Sequence, residues 1–157
     1  MSHRALKGKI PFAVYILWFL LAFQAISGIA GGLVMLFDPS GKTLSMPLIF
    51  LMGSPFSDYF LPGLLLLVFL GLFPLLGLVG LITDRWSWPN LLNIYRNKQW
   101  GWSYSLYAGL ILIIWMDLQI GFIGYWHPVQ TFHALTGVAI VIFTLLPTVM
   151  NHYRLRF

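Results

Sequence analysis

Few side chains in this 157-residue sequence are equipped for chemistry, and Asp117 stands out among them because it interrupts a long apolar run. A carboxylate in hydrocarbon is costly, so such a residue is expected to face the protein interior and to serve a function. At about 1.5 Å of rise per helical residue, Asp117 lies about 13 Å below the boundary marked by Trp126. His133 enters the next apolar run from the same side, about 7 Å deep by the same rise. Gln24 sits at similar depth in the first run, and Gln119 follows Asp117 closely. The expectation is an intramembrane polar cluster of Asp117, His133 and Gln24, joined by Gln119. It can be a hydrogen-bonded lock between helices or a site for a ligand, a quinone or a proton. One carboxylate and one embedded histidine fall short of a complete acid/base set, which favours the lock and leaves catalytic residues unassigned.

Small residues share faces with these groups: Gly109, Gly121 and Gly124 with Asp117, Gly137, Thr144 and Thr148 with His133, and Gly28 and Gly31 with Gln24. Small residues let neighbouring helices approach closely. The Gly28–Gly32 pattern could equally mediate a homodimer. Other chemistries find little support. The chain has no cysteine, which removes disulfides and thiolate metal sites, and no metal site is assigned. A b-type haem wants two histidines facing each other across helices. Only His133 is clearly embedded, and a single axial ligand to a chlorin stays open. The cofactor is unknown.

The elements that must position these groups are membrane spans. Charged residues make up 8 % of the chain and hydrophobic residues 59 %, whereas a soluble domain carries about a quarter charged residues. Runs of about 20 apolar residues are needed to cross the hydrocarbon. Four are legible, at about 10–36, 59–82, 102–125 and 129–150, so residues 1–157 form a single all-α domain, a four-helix transmembrane bundle. The first run is too long for a cleaved signal and reads as an anchor.

Eight of the nine basic residues fall in the N-terminal segment, the 83–101 loop and the tail. By the positive-inside rule these are cytoplasmic, giving an N-in, C-in topology. Nucleic-acid binding is excluded by the same distribution, since the charges form no patch. The expected location is the plasma membrane of a prokaryote. Trp86, Trp88, Trp100, Trp102 and Tyr104 would form the inner aromatic belt, and Tyr59, Tyr125 and Trp126 the outer one.

Two connections look structured. In the outer segment Ser45 is placed to cap a short helix over 46–52, stopped by Gly53, with Ser54-Pro55 opening the second span. In the inner loop Trp88, Leu91, Leu92 and Tyr95 repeat at i, i+3, i+4, i+7, which reads as an interfacial amphipathic helix or a partner surface. Pro74 and Pro147 should kink their helices, while Pro62 falls harmlessly in a first turn.

The stretches Asp38-Pro39-Ser40-Gly41 and Ser54 to Gly63 resemble sequences of small bacterial membrane proteins. Four spans in about 150 residues also resemble the DoxX-like group in layout. That resemblance implies quinone-linked chemistry for some members and transfers no site residues. Two functions remain: an accessory or scaffold subunit partnered by other membrane proteins or by a second copy, or a membrane oxidoreductase or quinone-like ligand binder using Asp117, His133 and Gln24. The sparse chemistry favours the subunit.

Overall fold

The computed structural model describes residues 9–83 and 86–155. Each apolar run forms helix, the structure that satisfies its own backbone where no water is at hand. Among the described residues there is no strand, only an isolated bridge between Lys98 and Arg154. Helix α1 covers Phe12–Phe37. The second span has three parts: α2 (Phe60–Leu65), a wider π-helical stretch (Leu66–Leu72) and α3 (Phe73–Thr83). Then come α4 (Trp100–Ile123), α5 (Pro128–Leu145) and the short α6 (Pro147–His152). Four of these helical segments are long and apolar enough to cross a membrane. They pack as a four-helix bundle in which α1 touches the second span and α5, and α4 touches α3 and α5.

The helices are apolar on every side, so contrast between faces cannot orient them. Close backbone approach does. A Cβ on Gly28 would collide with the Leu70 carbonyl, and one on Gly101 would collide with the backbone of Gly80 and Leu81. Gly109 and Gly137 face one another, each within 3.1 Å of the other's carbonyl oxygen if given a Cβ. The Gly28–Gly32 pattern is therefore occupied inside the chain: Gly28 lies on Leu70 and Gly32 on Leu67.

The two prolines act differently: Pro74 stays within a continuous helical run, and Pro147 follows a break. Pro74 has no N–H to give the Leu70 carbonyl four residues back, and the π-helical stretch ends at Leu72, two residues before it. At Pro147 the expected single span to residue 150 is interrupted. Leu146 adopts φ −57°, ψ 133° and the helix restarts at Pro147, because a residue before proline is pushed out of the α region.

The 38–59 segment departs from expectation. Only Leu48–Leu51 is helical, as a 3-10 turn entered from Pro47, and Ser45 takes a positive φ of 54° instead of capping a helix. Ser54 does not open the second span either; its hydroxyl donates to the Leu51 carbonyl at 2.9 Å. That span starts at Phe60, whose N–H donates to Asp58 Oδ1 at 2.9 Å. What organises the segment is Asp38. Its carboxylate accepts from the Ser40 hydroxyl (2.5 Å) and from the Thr43 hydroxyl and N–H (both 2.7 Å). The Ser40 and Thr43 hydroxyls, with the Thr43 N–H, bring its pKa down to about 2. Tyr59 closes the other side. Its hydroxyl donates to the Pro47 carbonyl at 3.1 Å, and its ring packs on Gly41, which has φ 75°.

At the opposite end the expected amphipathic helix is a five-residue 3-10 turn, Trp88–Leu92. Tyr95 lies outside it and packs edge-on against Trp102 at 5.2 Å. Side chains from α4 claim the turn's carbonyls: Tyr104 donates to Pro89 and Tyr107 to Leu92. Asn93 accepts from Ser103 and donates to the Lys98 carbonyl, so no further helical turn follows. Trp100, Trp102 and Tyr104 are buried in the bundle and form no belt; Trp86 stacks outside them on Trp100 at 6.5 Å. Tyr59 is likewise buried. Lys98 is buried and donates from Nζ to the Met150 carbonyl at 2.5 Å, fastening α6 to the loop before α4. Burial and the charge of Arg154 lower its pKa. Trp18 Nε1–H donates to the Tyr153 hydroxyl at 3.0 Å, while burial pushes that phenol's pKa up to about 12.

Candidate functional site: a chamber at the 38–59 end

The freed Leu70 carbonyl begins a polar chain across three spans. Gln24, 1 % exposed on α1, donates from Nε2 to that oxygen at 3.2 Å. Its Oε1 lies 3.1 Å from His133 Nδ1 on α5. An amide oxygen only accepts, so Nδ1 carries the hydrogen. In the neutral ring Nε2 then accepts from the Ser27 hydroxyl, 3.3 Å away. The tautomer follows from the partners. Phe23 stacks on the imidazole at a centroid distance of 6.2 Å and an interplanar angle of 23°. A serine and a glutamine on α1 thus hold the histidine of α5 in one orientation.

Beside this chain lies a cavity of about 370 Å³. Gln24, Ser27 and His133 line one wall, Met116 and Gln119 another, and Leu44 and Met46 approach from the 38–59 segment. Trp126 and Gln130 contribute from the α4–α5 turn. Gln130 is buried and pins that turn. Its Oε1 accepts from the N–H groups of Trp126 (3.0 Å) and His127 (3.3 Å), and its Nε2 donates to the Gly124 carbonyl at 3.2 Å. His127 Nδ1 accepts from the Val129 N–H at 3.2 Å and caps α5. The Gln119 amide on the wall makes no hydrogen bond among the described residues, whereas the Trp126 indole N–H, also without an acceptor, is itself fully buried.

Of the four residues expected to cluster, three meet and one does not. Gln24 and His133 bond directly, and Gln119 joins them around the cavity. Asp117 is exposed on the outside of α4 and makes no hydrogen bond or ion pair with any described residue. The buried stripe of α4 runs through Gly109, Leu112 and Met116. Asp117 is one residue past that stripe, about 100° round the helix. Gly121 and Gly124, read as sharing a packed face with it, have no heavy atom within 4 Å of a built Cβ. Trp88, Leu91, Leu92 and Tyr95 are all exposed, and Tyr95 lies outside the turn.

Sequence reasoning missed Ser27, Gln130 and Trp126. Ser27 lies three residues after Gln24, on the same helical face. Gln130 stands third after His127, the spacing of a capping box. Both signals were present in the sequence. Compared with family models, with curated proteins and with solved structures, the chain matches none.

Proposed function

We propose that this protein binds a lipophilic molecule with oxygen acceptors, of quinone-like chemistry, in the chamber beside His133. The observation that carries the reading is the cavity itself. About 370 Å³ falls within the range of small-molecule sites, which are mostly apolar with a few placed polar groups. The wall fits that description: methionines and leucines supply the apolar area, while Gln24, Ser27 and His133 form a preset polar edge. The amide of Gln119, free of hydrogen bonds among the described residues, can donate to an acceptor in the cavity. A ring carbonyl is such an acceptor. No carboxylate lines the cavity, so binding, not catalysis, is the step these residues support. The likeness in layout to the DoxX-like group would fit the same ligand class. With the basic residues inside, the chamber opens toward the outer leaflet of a prokaryotic plasma membrane and both termini are cytoplasmic.

The test is quenching of intrinsic tryptophan fluorescence by a short-chain benzoquinone, titrated into the purified protein in detergent. Saturable quenching is expected, and Gln119→Leu should weaken it about tenfold, the loss that follows removal of one polar contact worth about 1.4 kcal/mol. Quenching that is linear in quinone and the same in Gln119→Leu would reject the reading.

A second reading, an accessory or scaffold subunit, is favoured by the surface at the 86–99 end. Leu91 is 91 % exposed, with Trp88 and Leu92 beside it in the same turn. Large apolar side chains presented together mark a contact with lipid or with another protein.

A further inference from the structure

We propose that the face of α4 bearing Asp117 and Gly121 docks a membrane-spanning helix of another polypeptide, one that carries a lysine or arginine at matching depth. Asp117 lies six residues before the end of α4 at Ile123, about 9 Å along the axis, within a span long and apolar enough to cross a membrane. Its neighbours on the exposed surface are Leu110, Ile114 and Leu118. The residue therefore projects from a lipid-facing stripe.

The chain offers this carboxylate no compensation among the described residues. Lys9, Arg96, Lys98 and Arg154 belong to the opposite end of the bundle, and Lys98 is engaged by Met150. Lys42 sits in the 38–59 segment without an ion pair to Asp117. His133 is committed to Gln24 and Ser27, and His127 Nδ1 to Val129. Hydrocarbon supplies no counter-charge, and intramembrane acidic residues are found paired or facing protein. The partner must then come from outside the chain. A second copy packed symmetrically on this face would bring another Asp117 to the same place, a like-charge contact. A helix with a basic side chain brings the opposite sign.

The surface is also shaped for a helix. Gly121 is one turn on from Asp117, and a Cβ there meets nothing within 4 Å. The other glycines of α4 are different: Gly101 and Gly109 are filled by α3 and α5. An open glycine beside an unpaired carboxylate lets a backbone approach while its side chain pairs. The proposal does not depend on the ligand reading, and it gives the subunit reading a specific contact.

The absence of native cysteine permits a clean energy-transfer assay. A donor on Tyr125→Cys, in phosphatidylcholine vesicles, is paired with acceptor-labelled leucine–alanine spanning peptides. One peptide carries a single lysine about 9 Å from its end, and the other leucine at that site. The lysine peptide should associate about tenfold more tightly, the scale of a polar interhelical contact in model peptides. Asp117→Leu should reduce it to the level of the leucine peptide, and Gly121→Phe should block it with the charge intact. Equal association of the two peptides would overturn the proposal, as would lysine-peptide binding that survives Asp117→Leu or Gly121→Phe. Transfer between two copies of the chain that disappears in Asp117→Leu would also overturn it, in favour of a homodimer. The peptide contact involves α4 alone, so its failure removes this contact and not the exposed turn at 86–99.

Discussion

At the 86–99 end of the bundle, Gly80 and Gly101 bring α3 and α4 into backbone contact, and Trp100, Trp102 and Tyr104 fill the space around them. Lys98 and Tyr153 then fasten the loop and α6 across the base. At the 38–59 end the same four spans border a half-open cavity of about 370 Å³, edged by a chain of hydrogen bonds where the other end has rings. The difference arises from what each end places between the helices. At the base the rings of Trp100, Trp102 and Tyr104 fill what the Gly80–Gly101 contact leaves. Gln24 reaching for the carbonyl freed by Pro74, with His133 and Ser27 behind it, keeps the spans joined without filling the space between them. A closed base and a hollow opposite end suit a protein that presents one site in a fixed frame.

The sharpest way to break this comparison is to wedge the closed end. Gly101→Val should lower stability by about 3 kcal/mol, at the upper end of overpacking costs, because its collision is with backbone that cannot rotate away. Gly121→Val on the same helix meets open space and should leave the thermal midpoint in detergent unchanged. Equal losses in the two would mean that the contact of α3 with α4 does not set the rigidity of the base.

A smaller effect sharpens the contrast at the hollow end. Gln24→Leu leaves the Leu70 carbonyl without its donor and strips His133 Nδ1–H of its acceptor. The expected cost is about 1–3 kcal/mol, the usual penalty for buried polar groups left unpaired, read as a shift in the denaturation midpoint. The double variant Gln24→Leu, His133→Leu should cost less than the sum of the singles, since the two act in one network. Strict additivity would show that the chain of hydrogen bonds is not a unit.

Much of the frame was legible from residues alone. Hydrophobic runs located all four spans to within two residues at most ends, because the demand for internal backbone bonding leaves few alternatives. The end at Pro147 was missed because the restriction acts on the residue before proline, and Leu146 looks helical by every other measure. The short elements were misread for a related reason. Capping residues pointed to a helix at 46–52 and periodicity to one at 88–95, but Tyr59, Tyr104 and Tyr107 draw the carbonyls of Pro47, Pro89 and Leu92 into long-range bonds that no spacing rule records. The site was half legible. Gln24, His133 and Gln119 were found by polarity and depth, whereas Asp117 met the same criteria and faces outward. Depth is a property of sequence position, but the face a residue takes is fixed by which side of α4 the glycine contacts turn inward. That choice rests on Gly109 against Gly137, a pairing between helices.

The claim at the centre is that the chamber beside His133 holds a lipophilic ligand, and labelling its walls tests that most directly. A photoreactive azido-benzoquinone, activated in vesicles containing the protein, should attach to residues lining the cavity, notably Met35, Met46, Met116 and Trp126, and excess unlabelled quinone should suppress the attachment. Peptide mapping by mass spectrometry reads the positions. Labels confined to exposed, lipid-facing residues such as Leu110, Ile114 and Ile142, and insensitive to competitor, would contradict the claim.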